Sequence, residues 1–161
     1  MQQTKGAKVS TTIDNLSQST RRTLIKLCND RLADAVDLHL QCKHAYWNST
    51  DPDLEKLRRL FDELNELVED YIDRIAERAV QLGGVADSTG RVVATWSHVL
   101  CSPDADCRDY ADSIATALAS SSERVRQTID TSIDLGDVVG AQLFTAISED
   151  IRKWHKKITA F

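Results

Sequence analysis

Carboxylates with the spacing of metal ligands stand between residues 53 and 82. Asp73 and Glu77 are four residues apart, so on a helix they are neighbours on one face, as two hard oxygen ligands of a cation would be. Asp62 precedes Asp73 by eleven residues, which places it on the same helix face but roughly 16 Å away along the axis. A solvated acidic face is the alternative, since the pattern continues through Glu66, Glu69 and Asp70.

The distance between these carboxylates has a consequence for the assembly. One chain cannot bring Asp62 to the same ion as Asp73 and Glu77, because a straight helix keeps them about three turns apart. Two copies of the helix, antiparallel about a two-fold axis near Val68 and Glu69, would bring the three side chains together. If these residues share a metal, the spacing therefore predicts a dimer.

The helix that carries the carboxylates is the clearest element of the sequence. From Leu54 to Leu82 apolar residues follow one another at steps of three and four, which predicts a helix that packs antiparallel in a bundle. The segment Thr50-Asp51-Pro52 places a capping side chain before a first-turn proline. Gly83-Gly84 stands where the C-terminus of a helix favours a left-handed residue.

Glycine and proline leave four stretches free of helix breakers, residues 7–51, 53–82, 104–135 and 141–161. The first is predicted to become helical near Ser17, after a flexible tail of residues 1–16. Between the second and third stretches lies a long connection whose apolar run predicts a short extra helix. Because a long middle connection is typical of ferritin-like bundles, we expect an all-α, ferritin-like four-helix bundle over residues 17–161.

Composition limits the class of protein. The 161 residues are 42% hydrophobic and 28% charged, enough for one domain with a buried core. A net charge of −5 argues against binding nucleic acid through net charge alone. No signal peptide opens the chain and no apolar run is long enough to span a membrane, so a cytoplasmic protein is expected. The four cysteines form no CxxC pair and are expected to be buried or inert: Cys28, Cys42, Cys101 and Cys107.

Three segments match a known family pattern. They are Lys43-His44-Ala45-Tyr46-Trp47-Asn48, Arg58-Arg59-Leu60-Phe61-Asp62 and Asp73-Arg74-Ile75-Ala76-Glu77-Arg78-Ala79-Val80-Gln81-Leu82-Gly83-Gly84. They resemble the motifs K-x-A-H-W-N, L-H-x-x-F-D and D-x-x-A-E-R-x-x-x-L-G-G of the Dps mini-ferritins, the DNA-binding proteins of starved bacterial cells. The spacing between the segments matches without gaps, and the resemblance covers about residues 17–150.

This resemblance implies a hollow homododecamer that oxidises Fe(II) with hydrogen peroxide or oxygen and stores the ferric iron. It also implies protection of DNA from oxidative damage through sequence-independent binding, in the cytoplasm and at the nucleoid, with no membrane involved. In the family the ferroxidase site lies between two-fold-related subunits. One chain supplies two histidines and an aspartate, matched here by Asp62, and the other supplies the aspartate and glutamate matched by Asp73 and Glu77.

Two ligand positions depart from the family pattern. Tyr46 and Arg58 stand where the family has its two histidines. A phenol stays protonated at neutral pH and binds Fe(II) poorly, and a guanidinium cannot coordinate a metal. We expect Arg58 either to border a modified site or to pair with Asp73 or Glu77 of a second chain. The nearby His39 and His44 are expected to be structural or surface histidines rather than replacement ligands.

Further candidate residues lie near the last helix and in the tail. In the family, acidic residues before the last helix line a three-fold pore, and Asp130, Asp134 and Asp137 are the matching candidates. They could equally form a solvated cluster, and Gln142 replaces one usual acidic position. The candidates for DNA binding are Lys5 and Lys8 in the tail, with Lys153, Lys156 and Lys157 at the end of the chain as a second basic group or a simple helix-dipole complement.

Two hypotheses therefore stay open. The first is an enzyme, a mini-ferritin that oxidises Fe(II) at a modified site formed by Asp62, Asp73, Glu77 and Tyr46. The second is a non-catalytic shell of the same architecture, which acts by assembly, DNA coating or slow iron mineralisation on interior carboxylates. Arg58 discriminates between them, because a salt bridge from Arg58 in a site without metal favours the second.

Overall fold

The computed structural model describes residues 15–89 and 107–161, and within these ranges the chain is helical without strands. Its helices are α1 (Gln18–Asn48), α2 (Glu55–Gln81), α3 (Cys107–Asp134) and α4 (Val138–Thr159), with a 3-10 helix at Pro52–Leu54. α1 packs mainly along α2, and α3 along α4. The predicted all-α four-helix bundle is confirmed. The extra helix expected in the middle connection lies outside the described residues.

The helix starts follow the capping residues of the sequence. Ser17 caps α1, since its hydroxyl accepts a hydrogen bond from Thr20 N at 3.1 Å. The carboxylate of Asp51 accepts from Asp53 N at 2.9 Å and so caps the 3-10 helix that leads into α2. The predicted start of the first helix near Ser17 is therefore confirmed.

One apolar face of each helix forms the core. The seam predicted on α2 is buried along its length except for Leu54, which is only partly covered. Burial of this seam turns the opposite, acidic face of α2 toward the surface, because a helix places residues three and four apart on the same side. The buried seam residues are Leu57, Phe61, Leu64, Val68, Tyr71, Ile75, Ala79 and Leu82.

The glycine pair after α2 serves two purposes. Gly83 adopts the left-handed backbone predicted for a helix C-terminus, with φ of 87°. Gly84 has no positive φ, but a Cβ at this position would lie 2.5 Å from Ile25 Cγ2. Gly84 therefore permits the chain to pass close to α1 as it leaves the bundle.

A buried ion pair holds the corner between α3 and α4. Asp137 caps α4 by accepting from Gly140 N at 2.9 Å, and it accepts a further hydrogen bond from Arg78 Nη2 of α2 at 2.5 Å. The two charged side chains are only 4% and 2% exposed. This pair joins α2 to the start of α4.

Within the described ranges, no helix has the length and apolar character to cross a membrane.

Candidate metal and interface site

The predicted ligand Asp62 is paired with a lysine of its own chain. Lys43 on α1 places its ammonium 3.3 Å from Asp62 Oδ1 on α2. The buried Asn65 completes this arrangement when its amide is oriented to satisfy its neighbours. Its oxygen then accepts from Lys43 Nζ at 3.2 Å, and its nitrogen donates to His39 Nδ1 at 3.0 Å. Asp62 thus already has a cation beside it in the single chain.

Arg58 packs against Tyr46, and these are the two residues predicted to depart from the family pattern. The guanidinium carbon of Arg58 lies 4.2 Å from the centre of the Tyr46 ring, a cation–π contact. Arg58 Nε donates to the carbonyl of Tyr46 at 3.2 Å, and Arg58 Nη1 lies 3.6 Å from Glu55 Oε2. Tyr46 and Arg58, the two predicted departures from the family motifs, therefore contact each other.

The other two predicted ligands lie farther along α2 than Asp62, toward the C-terminal end of the helix. Asp73 and Glu77 are exposed and, with Ala76, Val80 and Gln81, line an open depression on the C-terminal half of α2. Among the described residues neither carboxylate has an ion-pair or hydrogen-bond partner. The fold therefore brings Asp73 and Glu77 together, as predicted, but leaves Asp62 on a different part of α2.

Fe(II), the substrate implied by the family resemblance, does not fit the donor set of one chain. Asp62 is paired with Lys43, and Arg58 lies one helical turn before it on the same face of α2. Both cations repel a metal ion. His39 accepts from Asn65, and the His44 ring packs edge-on against Tyr110 with ring centres 5.4 Å apart. No group of three or more His, Cys, Asp or Glu side chains in the described part of the chain is arranged to hold a metal.

The pore candidates differ in their surroundings. Asp130 and Asp134 are exposed at the end of α3, whereas Asp137 is 3% exposed and bonded to Arg78 and Gly140. Asp137 therefore has a structural role in the single chain. A pore lined by these residues stays a prediction, and Lys5 and Lys8 lie outside the described residues.

Two cysteines are inert by burial. Cys28 and Cys42 are free and buried, in agreement with the sequence-based expectation. Burial raises the pKa of each thiol to about 12, and for Cys28 the negative charge of Asp137 adds to the increase. Neither thiol is therefore a nucleophile at neutral pH.

Sequence reasoning missed the Lys43–Asp62 pair. In the sequence Lys43 stands out only as part of a motif, and its partner is nineteen positions away on the next helix. The register between α1 and α2 decides which lysine meets which carboxylate, and side-chain spacing along one helix contains no information about that register. Arg78 was likewise not predicted as a buried partner of Asp137, although an arginine on the apolar side of α2 was a signal.

A bundle of four helices, with α1 along α2 and α3 along α4, and with carboxylates exposed on α2, is typical of a ferritin-like protein. A family model described as a ferritin-like domain matches residues 25–161. A DNA protection during starvation protein of Agrobacterium fabrum is 31% identical over 148 residues, which cover 91% of each chain. The protein of the same name from Mycolicibacterium smegmatis is 28% identical over 148 residues, covering 90% of this chain and 80% of its own.

Solved structures agree with these sequence matches. Mycobacterium smegmatis Dps in its tetragonal form superposes with a TM-score of 0.84 at 27% identity, covering 95% of this chain and 93% of its own. Dps from Thermosynechococcus elongatus shares the fold, with a TM-score of 0.83 at 20% identity over 89% of this chain and 92% of its own. The chain belongs to the Dps family of ferritin-like proteins, as the sequence motifs predicted.

Proposed function

We propose that this chain is the subunit of a Dps-like homododecameric shell in the cytoplasm, where it protects DNA from oxidative damage and holds iron without an efficient ferroxidase centre. Membership of the Dps family supports the shell and the DNA-protecting role. The observation that carries the statement about catalysis is that Arg58, at a predicted ligand position, packs its guanidinium carbon 4.2 Å from the ring of Tyr46, the other such residue, next to the Lys43–Asp62 ion pair.

Electrostatics explains why Lys43 and Arg58 disfavour Fe(II) at Asp62. Two like unit charges 4 Å apart repel each other by about 4 kcal/mol at the effective dielectric constant near a protein surface, and Fe(II) carries two charges. Lys43 and Arg58 have no lone pair to offer a metal in exchange. A ferrous ion at Asp62 would therefore meet repulsion and gain few ligands.

Iron has another surface available in this proposal. Besides Asp73 and Glu77, α2 carries exposed carboxylates that a shell interior could use for slow mineralisation, among them Glu63 and Asp70. Hard oxygen ligands suit ferric iron, and such sites require no preformed geometry.

A modified ferroxidase centre is the second candidate. In it Asp62 and Tyr46 of one chain and Asp73 and Glu77 of a two-fold-related chain bind Fe(II), and hydrogen peroxide or oxygen accepts the electrons. The observation in its favour is that Asp73 and Glu77 are neighbours on one face, exposed, and unpaired among the described residues.

Oxidation kinetics separate the two candidates. We would mix Fe(II) with the assembled wild-type protein and an Asp73→Ala/Glu77→Ala variant, with hydrogen peroxide or oxygen as oxidant, and follow ferric absorbance. We expect similar slow rates, because the pair is not part of a catalytic centre. Rapid oxidation that the variant loses would establish the second candidate instead.

Restoring the family histidines provides a gain-of-function test. A Tyr46→His/Arg58→His variant supplies two imidazole ligands and removes one positive charge, so we expect faster Fe(II) oxidation than in wild type. Arg59→His is the matched control, because Arg59 is the neighbouring arginine and its side chain is 73% exposed. If the double variant stays as slow as the control, the replaced residues are not what limits catalysis.

DNA binding is tested through its salt dependence. Titrations of duplex DNA with the shell at several salt concentrations should show a steep loss of affinity, because Lys–phosphate contacts release counterions. Lys5→Gln/Lys8→Gln should reduce the slope by about 2 for each engaged tail, whereas Lys156→Gln/Lys157→Gln should have little effect. A salt-insensitive complex would exclude phosphate contacts as the basis of binding.

A further inference from the structure

We propose that Lys43 and Arg58 bind the Asp73 and Glu77 carboxylates of a second copy of this chain, so that direct ion pairs hold the two-fold contact. The inference rests on the proposed shell and goes further, because it gives the two cations a role in assembly. Each site combines Lys43 and Arg58 of one chain with Asp73 and Glu77 of the other. The two-fold axis repeats the site with the roles of the two chains exchanged.

The two surfaces are complementary in charge and in apolar area. The cationic patch consists of Lys43, Tyr46, Trp47 and Arg58, and its Trp47 side chain is 66% exposed. The acidic patch is the depression lined by Asp73, Ala76, Glu77, Val80 and Gln81, in which Val80 is 58% exposed. Exposed apolar side chains beside charged ones are typical of an interface. Within its own chain Lys43 is paired with Asp62 and Arg58 lies near Glu55, whereas Asp73 and Glu77 have no ion-pair partner among the described residues.

Both patches lie on one stripe of α2, at opposite ends of the helix. With a rotation of about 100° per residue, Arg58, Asp62, Asp73 and Glu77 fall within about a third of the helix circumference. Two such stripes that pack antiparallel form an isologous contact, in which each cationic end meets the acidic end of the other chain.

The axial positions match in this arrangement. A two-fold axis midway between Val68 and Glu69 places Arg58 about level with position 79 of the partner, or roughly 3 Å along the axis from Glu77. Asp62 comes level with position 75, between Asp73 and Glu77, so its partner Lys43 is within reach of both carboxylates. A lysine or arginine side chain easily spans the remaining offset.

Arg58 is already oriented for such a contact. The ring of Tyr46 lies under its guanidinium, and the Tyr46 carbonyl accepts from Nε. Arg58 Nη2 has no hydrogen-bond acceptor in the described part of the chain, which leaves a donor for a carboxylate. Because the side chain is already ordered, less conformational entropy is lost when the ion pair forms.

A charge swap tests the pairing. Arg58→Glu places two acidic residues opposite each other, and Glu77→Arg places two arginines there. Each change should weaken association about tenfold or more, as expected when one partner of a close interfacial charge pair is reversed. The Arg58→Glu/Glu77→Arg variant should recover most of the loss, since the pair is restored with opposite polarity. Arg59→Glu is the control and should leave association unchanged.

Sedimentation velocity over a range of protein concentrations, at one ionic strength and with EDTA present, measures the assembly. Wild-type protein that stays monomeric both with and without EDTA would contradict the proposed shell itself. Three results would overturn the inference alone. They are a wild type that assembles only with metal, an Arg58→Glu variant that associates as tightly as wild type, and a double variant that recovers none of the loss. If circular dichroism shows that a reversal variant is unfolded, Arg58→Gln and Glu77→Gln replace it. Their combined effect should then be smaller than the sum of the two single effects.

Discussion

Asp137→Asn should destabilise the chain strongly, although the change removes only a charge. In the native structure Asp137 accepts from both Arg78 Nη2 and Gly140 N, and the Arg78 side chain is 4% exposed. An asparagine can still cap α4 through its side-chain oxygen. What it cannot do is neutralise the guanidinium of Arg78, which stays buried without its counterion.

The size of the effect follows from that burial. Breaking a buried ion pair by neutralising one partner costs about 3–5 kcal/mol, because the remaining charge keeps its desolvation penalty. For a chain of this size each kcal/mol lowers the midpoint of thermal unfolding by about 2–4 °C. We therefore expect a decrease of roughly 6–20 °C. Asp137→Ala removes the cap as well and should cost about 1 kcal/mol more.

Urea unfolding followed by circular dichroism at 222 nm measures the change, with the protein concentration held constant because assembly contributes to stability. Asp134→Asn is the matched control. Asp134 is exposed at the end of α3, so its loss should change the unfolding free energy by less than about 0.5 kcal/mol. If Asp137→Asn behaves like Asp134→Asn, the reasoning about an uncompensated buried charge is refuted.

Three further outcomes follow from the packing. Gly84→Ala should lower the unfolding free energy by about 1–3 kcal/mol, because its Cβ meets Ile25 at 2.5 Å; an unchanged urea midpoint would contradict this close approach. Cys28 and Cys42 should resist a thiol reagent at pH 8 and react once urea unfolds the chain, and rapid reaction of the native protein would disprove their burial. Because the pKa of Cys42 is raised from 9.0 to about 12, the native thiol keeps its proton between these values while the unfolded thiol loses it, so stability should fall as pH rises from 9 to 12. Urea titrations of wild type and Cys42→Ala across this range measure the difference, and a smaller pH dependence is expected in the variant.

Much of the bundle could be predicted because its signals are local. The 3–4 spacing of apolar residues on α2, the Ser17 cap and the left-handed Gly83 each depend on residues within a few positions of one another. The second glycine of the pair shows the limit of this reasoning. Gly84 looked like part of a helix-ending signal, but its reason is the approach of Ile25 from another helix.

The candidate site was predicted in part for the same physical reason. The adjacency of Asp73 and Glu77 follows from helix geometry alone, and so does their distance from Asp62. The family resemblance then exposed Tyr46 and Arg58 as departures. The stacking of Arg58 on Tyr46 required the packing of α1 against the start of α2, which is a relation between elements.

By itself, the sequence determined the helices, their buried faces, the family and the carboxylate pairs that lie within one turn, because short-range geometry and side-chain type decide all of these. The tertiary structure alone decided that Lys43 lies beside Asp62 and that Arg78 is buried against Asp137. Partners in each of these pairs come from different helices, and their meeting depends on the axial register and rotation of packed helices. Those two quantities are set by the whole core at once, so no segment of the sequence specifies them on its own.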